Sequence, residues 1–220
     1  MSPSLDPALK IAEFLLQIKA IKLSPKEPFI WASGLRSPIY CDNRQSLSYP
    51  PVRTYIRQQF VHTIDSHFGR PDMIAGVATG GIAHGALVAH DMGLPFLYVR
   101  PDAKGHGLQN QVEGDLTVGR TVVVVEDLVS TGKSSLKAVK ALRAAGCEVK
   151  GMVCIFTYGF PEAAAAFAKE RVPLHALTNY DVLLDQALRS GYITEKDLDT
   201  LNAWRKDPAG WGEQAEALSK

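Results

Sequence analysis

With 220 residues, 46% of them hydrophobic and 21% charged, the chain is long enough to close one globular unit around a sizeable core. A net charge of +1 argues against a general nucleic-acid binder, which needs a basic excess to engage phosphates. No apolar run is long enough to cross a membrane, and residues 1–10 show no basic segment leading into an apolar one, so no signal peptide is expected. Three cysteines, Cys41, Cys147 and Cys154, are odd in number and lack metal-ligand spacing, which fits a reducing cytoplasm.

Leu5, Leu9, Ala12, Leu15 and Leu16 recur at helical spacing and predict an amphipathic helix over 5–21, ended by Pro25 and Pro28. Residues 29–42 read as short strands around Ser33-Gly34. A second helix is predicted over 51–68 through Val52, Ile56, Phe60 and Ile64, and Gly69-Arg70-Pro71 breaks it. Residues 73–77 form an apolar strand, Ala78-Thr79-Gly80-Gly81 a loop and 82–92 a helix. The next strand is 96–99. The polar stretch 100–119 carries Gly105, Gly107, Gly114 and Gly119 and reads as lacking regular structure. A loop of that length in a compact unit is often a functional lid. Residues 122–125 resume the sheet, 134–145 are helical up to Gly146, and 149–157 form another strand. Beyond it, 162–171, 179–189 and 194–206 are predicted helices.

Alternating strands and helices predict an α/β fold with a central parallel sheet flanked by helices. The expected organisation is a single unit over 1–220, with a small N-terminal hood over about 1–50, a core over about 51–180 and a helical tail over about 181–220. In such sheets ligands lie beyond the carboxyl ends of the strands. Thr79-Gly80-Gly81, Arg100 and Glu126-Asp127 all fall there.

The richest stretch is 122–135, VVVVEDLVSTGKSS. Four valines demand a buried strand. Glu126 and Asp127 follow where that strand is expected to surface, and Ser130-Thr131-Gly132-Lys133-Ser134 opens a helix. Ionised carboxylates only accept hydrogen bonds, so the pair suits the vicinal hydroxyls of a sugar. Amide groups at a helix start, with Ser and Thr hydroxyls beside them, suit a phosphate. Ribose 5-phosphate carries both features. A nucleotide P-loop needs a glycine five residues before Gly132, where Asp127 stands. The remaining alternative is a strand end followed by an ordinary capped helix, which does not call for two adjacent acids. In the glycine-rich loop, Arg100, Lys104 and His106 form a cationic set suited to a ligand of high negative charge; the alternative is a solvated loop whose charges do nothing.

This segment resembles the 5-phosphoribosyl 1-diphosphate (PRPP) motif of the type I phosphoribosyltransferases. WASGLRSPIYCDNR (31–44), AGVATGGIAH (75–84), YVRPDAKGHGLQNQVEG (98–114) and the stretch 192–211 resemble, more specifically, the orotate-using branch of that family. The resemblance implies transfer of ribose 5-phosphate from PRPP to orotate, giving orotidine 5′-monophosphate and pyrophosphate, with Mg²⁺ bound mainly through substrate rather than through a protein cage. It implies catalytic roles for Lys104, Asp127 and Glu126. PRPP contacts are implied for Arg100, Lys104, His106, Glu126, Asp127, Leu128, Val129, Ser130, Thr131, Gly132, Lys133, Ser134, Thr79 and Gly80. Orotate contacts are implied for Ser130, Tyr40 and Arg36, with Ser33 and Asn43 in the same hood segment. A homodimer is implied, the 100–114 loop of one subunit serving its neighbour. The chain departs from the pattern at Pro101, where relatives often carry a basic residue, at Gly80, where some carry a lysine, and after 157, where some carry an arginine for the orotate carboxylate. His84 reads as a packing residue. A purine phosphoribosyltransferase, or a PRPP-sensing regulator of the same fold, are the alternative readings.

Overall fold

Helix α1 spans Pro7–Gln17, shorter than the 5–21 expected from its apolar spacing. Asp6 caps it, its carboxylate accepting from the Ala8 amide at 3.0 Å, and Pro7 occupies the first turn. The helix stops because Lys19 adopts a left-handed φ of 59°, and the chain leaves as strand β1, Ile21–Leu23. The structure is a computed structural model and describes residues 6–30, 34, 36–102 and 111–211. Ser33, Lys104 and His106 lie outside them.

The hood continues with β2 (Phe29–Ile30), β3 (Arg36–Ser37) and β4 (Ile39–Cys41), followed by a 3-10 turn at Asn43–Ser48. Strand β1 pairs antiparallel with β4, and β2 with β3. Both pairs stand apart from the main sheet. Helix α2, Pro50–Phe68, buries Val52, Ile56, Phe60 and Ile64, the positions its sequence spacing selects.

The core strands are β5 (Met73–Val77), β6 (Phe96–Val99), β7 (Val112–Glu113), β8 (Thr121–Val129), β9 (Glu148–Thr157) and β10 (Leu174–Asn179). They form one sheet in the order β10-β9-β8-β5-β6-β7, parallel except for β7. The helices between them are α3 (Gly80–Met92), α4 (Lys133–Ala144) and α5 (Pro161–Lys169). Helices α6 (Tyr180–Arg189) and α7 (Glu195–Lys206) close the described chain. Strand β8 lies inside the sheet, between β5 and β9. Val123 and Val125 enter the core under α1, α2 and α3, whereas Val122 and Val124 enter the one under α4 and α5. Both faces are covered, which is why the strand reads as an unbroken apolar run. Burying each valine contributes about 2 kcal/mol.

Two strands of the main sheet escape the sequence reading, as does β1 before them. Strand β7 interrupts the stretch read as unstructured; two residues are too few to show a period. Strand β10 is polar enough, with His175 and Thr178, to hide next to two helices. It is an edge strand, and only Leu177 and Thr178 in it are fully buried.

His84 on α3 is packed as expected, 6.3 Å from the Phe60 ring and 1% exposed. Burial lowers its pKa from 6.5 to about 4. The folded state therefore binds this proton less readily than the unfolded chain. Its contribution is complete above pH 6.5 and is lost as pH falls toward 4, up to about 3 kcal/mol. His175, also lowered by burial, acts in the same direction. Denaturant titrations at pH 5 and pH 7 are expected to show a large stability difference in the wild type and a smaller one in His84→Gln. Equal differences refute the assignment.

Candidate active site

Glu126 and Asp127 do not follow the strand as the sequence suggests. Strand β8 runs on through both of them to Val129, whose ladder partner is Thr157 on β9. Strand alternation therefore sends the two carboxylates to different surroundings. Glu126 is 5% exposed. One of its oxygens accepts from the Asp127 amide at 3.0 Å and the other from the Ser135 hydroxyl at 3.1 Å. Burial, and then the charge of Asp127, push its pKa well above the usual carboxylate value. Asp127 is half-buried at the strand's carboxyl end. The acids are thus unequal: Asp127 is open to a ligand, and Glu126 is braced behind it.

The cradle follows. Leu128 and Val129 are strand residues. The Val129 carbonyl accepts from the Thr157 hydroxyl at 3.0 Å and the Tyr158 amide at 3.3 Å, tying the cradle to the β9 exit. Ser130 and Thr131 are half-buried, and Lys133 and Ser134 are exposed in the first turn of α4. The free amides of that turn point at the space before it. Gly132 precedes the helix with a left-handed φ of 79°, and a Cβ there would stand 2.8 Å from Phe167 Cε2. A valine at 132 would meet Phe167 and an unfavourable φ, so its damage would reach the fold as well as the cradle.

Thr79 is exposed where α3 begins, directly before Gly80. A Cβ on Gly80 would overlap the Asp127 carboxylate, and one on Gly81 would overlap the Val125 carbonyl. The turn is thus pressed onto β8, and position 80 has no room for a lysine. Gly80→Ala is expected to displace Asp127 and lower catalytic efficiency by about 10²-fold, the cost of a small misplacement at a reacting centre. Steady-state kinetics check it; wild-type kinetics would mean that the turn yields freely.

Arg100 leaves β6 beside this turn. It shares a cleft of about 160 Å³ with Ala78, Ser134 and Lys137. Its guanidinium stands 3.4 Å from a Glu113 oxygen on β7. Gln111, which the sequence reading passed over, is 1% exposed and donates to the carbonyls of Arg100 (3.3 Å) and Pro101 (3.0 Å). It joins the two ends of the segment that carries Lys104 and His106. A lone glutamine in a polar loop gives no sequence signal for this.

In the hood, Arg36 lies on β3 and Tyr40 on β4. The Tyr40 ring is partly exposed, 5.8 Å from the Phe29 ring, with Lys22 Nζ 5.8 Å from its centroid. Asn43, from the same hood segment, turns inward. Its side-chain amide donates to the Asp127 carbonyl at 2.8 Å. At the β9 exit, where the sequence lacks an arginine, α7 brings one: the Arg205 guanidinium pairs with Asp181 and lies 3.5 Å from where a Gly159 Cβ would be. Among the described residues, no group of three or more His, Cys, Asp or Glu gathers to hold a metal.

A largely parallel sheet whose interior strand carries an acid near its carboxyl end, followed by a helix-start cradle, defines a class, and residues 52–169 match the phosphoribosyl transferase domain family. The chain is similar to the orotate phosphoribosyltransferase of Bacteroides fragilis, 60% identical over 91% of this chain and 94% of that one. It is 51% identical to the Listeria innocua enzyme of the same name, over 92% of this chain and 97% of that one. The solved orotate phosphoribosyltransferase from Aeropyrum pernix superposes with a TM-score of 0.72 at 31% identity, covering 83% of this chain and 99% of its own. The chain belongs to the orotate phosphoribosyltransferase family.

Proposed function

We propose that the chain transfers the 5-phosphoribosyl group of PRPP to orotate, releasing pyrophosphate and giving orotidine 5′-monophosphate on the route to UMP. The observation that carries this reading is the convergence of Asp127, Gly80 and the Ser130–Ser134 cradle at one end of the sheet, in a chain whose relatives bear that name. The C1′–oxygen bond to pyrophosphate breaks, the sugar gains positive charge, and orotate N1, having shed its proton, attacks the opposite face. Asp127 receives ribose hydroxyls and favours positive charge at C1′. Glu126 holds the Asp127 amide. The amides of 131–134, with the Ser130, Thr131 and Ser134 hydroxyls, hold the 5-phosphate, and Lys133 adds charge at its rim. Thr79 and Gly80 offer the pyrophosphate main-chain donors, and Arg100, Lys104 and His106 offer cations. Ser130, Tyr40 and Arg36 are assigned to orotate.

Asp127 is a hard oxygen donor of the kind Mg²⁺ takes, and such an ion would keep water and substrate phosphate as its other ligands. When bound, that ion would neutralise charge on the leaving group. The assembly proposed is a cytoplasmic homodimer in which the segment bearing Lys104 serves the neighbouring site. Purified protein with PRPP and Mg²⁺ is expected to turn over orotate and to leave adenine and hypoxanthine unchanged. Preferential use of a purine would transfer the assignment to a purine phosphoribosyltransferase, and no turnover with tight PRPP binding would favour a sensor.

A further inference from the structure

Three buried polar side chains join parts of the site that come from distant stretches of sequence. Asn43 and Ser46 belong to the hood's 3-10 turn, and His84 to α3, the helix that follows Thr79. All three are at most 1% exposed. The Asn43 amide donates to the Asp127 carbonyl at 2.8 Å, while its side-chain oxygen accepts from the Cys41 thiol at 3.4 Å. The Ser46 hydroxyl donates to the Asn43 carbonyl at 2.6 Å and lies 3.3 Å from His84 Nε2. Since the hydroxyl proton is already given to Asn43, Ser46 accepts there and the imidazole donates from Nε2.

A purely structural seam between hood and core could be apolar, as the Phe60 ring beside His84 is. Polar groups cost free energy to bury unless each is bonded, and a fully bonded network holds one arrangement more narrowly than apolar packing does. Here the network ends on the main chain of the one residue whose carboxylate faces the ribose. It also reaches the helix whose first residue, Gly80, touches that carboxylate.

We propose that Asn43 is a positioning residue for phosphoribosyl transfer: it holds the main chain of Asp127, and through Ser46 and His84 it locks the hood, the Thr79–Gly80 turn and the ribose carboxylate in one geometry. This rests on the phosphoribosyltransferase reading of the site. Asn43 touches no substrate in this account; it acts through Asp127.

A double-mutant cycle separates this role from simple stabilisation. Asn43→Ala is expected to lower kcat/KM for PRPP by roughly ten- to a hundredfold in the wild-type background. In the Asp127→Asn background the same change is expected to cost little more, because the group it positions is already disabled. An equal loss in both backgrounds, or no loss in the wild type, overturns the proposal. Should Asn43→Ala fail to fold, Asn43→Leu keeps the size while removing the donor, and the same cycle applies. The cycle is also read in PRPP affinity by calorimetry, which needs no turnover. Absence of orotate turnover in the wild type then refutes the functional reading, whereas additive PRPP affinities refute the role of Asn43.

Discussion

Asp127→Asn is expected to lower orotate turnover by about 10²- to 10³-fold, the scale for removing a preorganised charge from a reacting centre. Thermal unfolding is expected to move little. The carboxylate sits half-exposed at the end of β8, and the amide has the same shape, so the packing against Gly80 survives. A second effect favours the variant's stability. The charge of Asp127 is one of the causes that raise the pKa of buried Glu126. An acid whose folded pKa is raised weakens the fold as pH climbs from its unfolded value, near 4.5, through the raised one. Removing the neighbouring charge lowers that pKa, so the penalty at alkaline pH shrinks. The variant is therefore expected to be at least as stable as the wild type there, and nearly inactive. Parallel assays of turnover and thermal unfolding decide it. Wild-type turnover would remove Asp127 from the reaction, and a collapse of stability would make it a structural residue.

The sheet was legible because its strands are apolar on both faces and its helices carry clear periodic stripes. Val122–Val125 and Val52-Ile56-Phe60-Ile64 could hardly be read otherwise. The site was legible where chemistry and chain position coincide: an acid at a strand end, then small donor-rich residues opening a helix. What stayed hidden depends on contacts between distant residues. Nothing in the order Glu126-Asp127 reveals that the strand continues and buries the first acid. Nothing near Asn43 reveals that its amide faces a carbonyl on β8 rather than a ligand. Position 80 looked like a missing lysine; in three dimensions it is the point where the turn meets Asp127. Likewise Arg205 reaches the β9 exit from a helix whose own sequence gives no hint of that destination.

Lys104→Ala is expected to cut turnover by about 10²- to 10³-fold as well, since a cation aimed at a leaving pyrophosphate acts on charge that grows in the transition state. Lys104 lies outside the described residues, so its role rests on the family resemblance and on where its segment is anchored. Arg100 departs from β6, and Gln111 returns beside β7, the edge strand of the sheet. A segment rooted at a sheet edge can extend toward a facing subunit. If it does, each complete site takes Lys104 from one chain and Asp127 from the other. Mixing Lys104→Ala with Asp127→Asn then restores function from two disabled parents. Random reassociation makes half the dimers mixed, each with one intact site and one doubly damaged one, so about a quarter of wild-type activity is expected. Subunit exchange is verified first with differently tagged chains. If the segment serves its own subunit, every site in a mixed dimer lacks either Lys104 or Asp127, and no activity returns. Verified heterodimers no more active than their parents would therefore leave each chain with a site of its own.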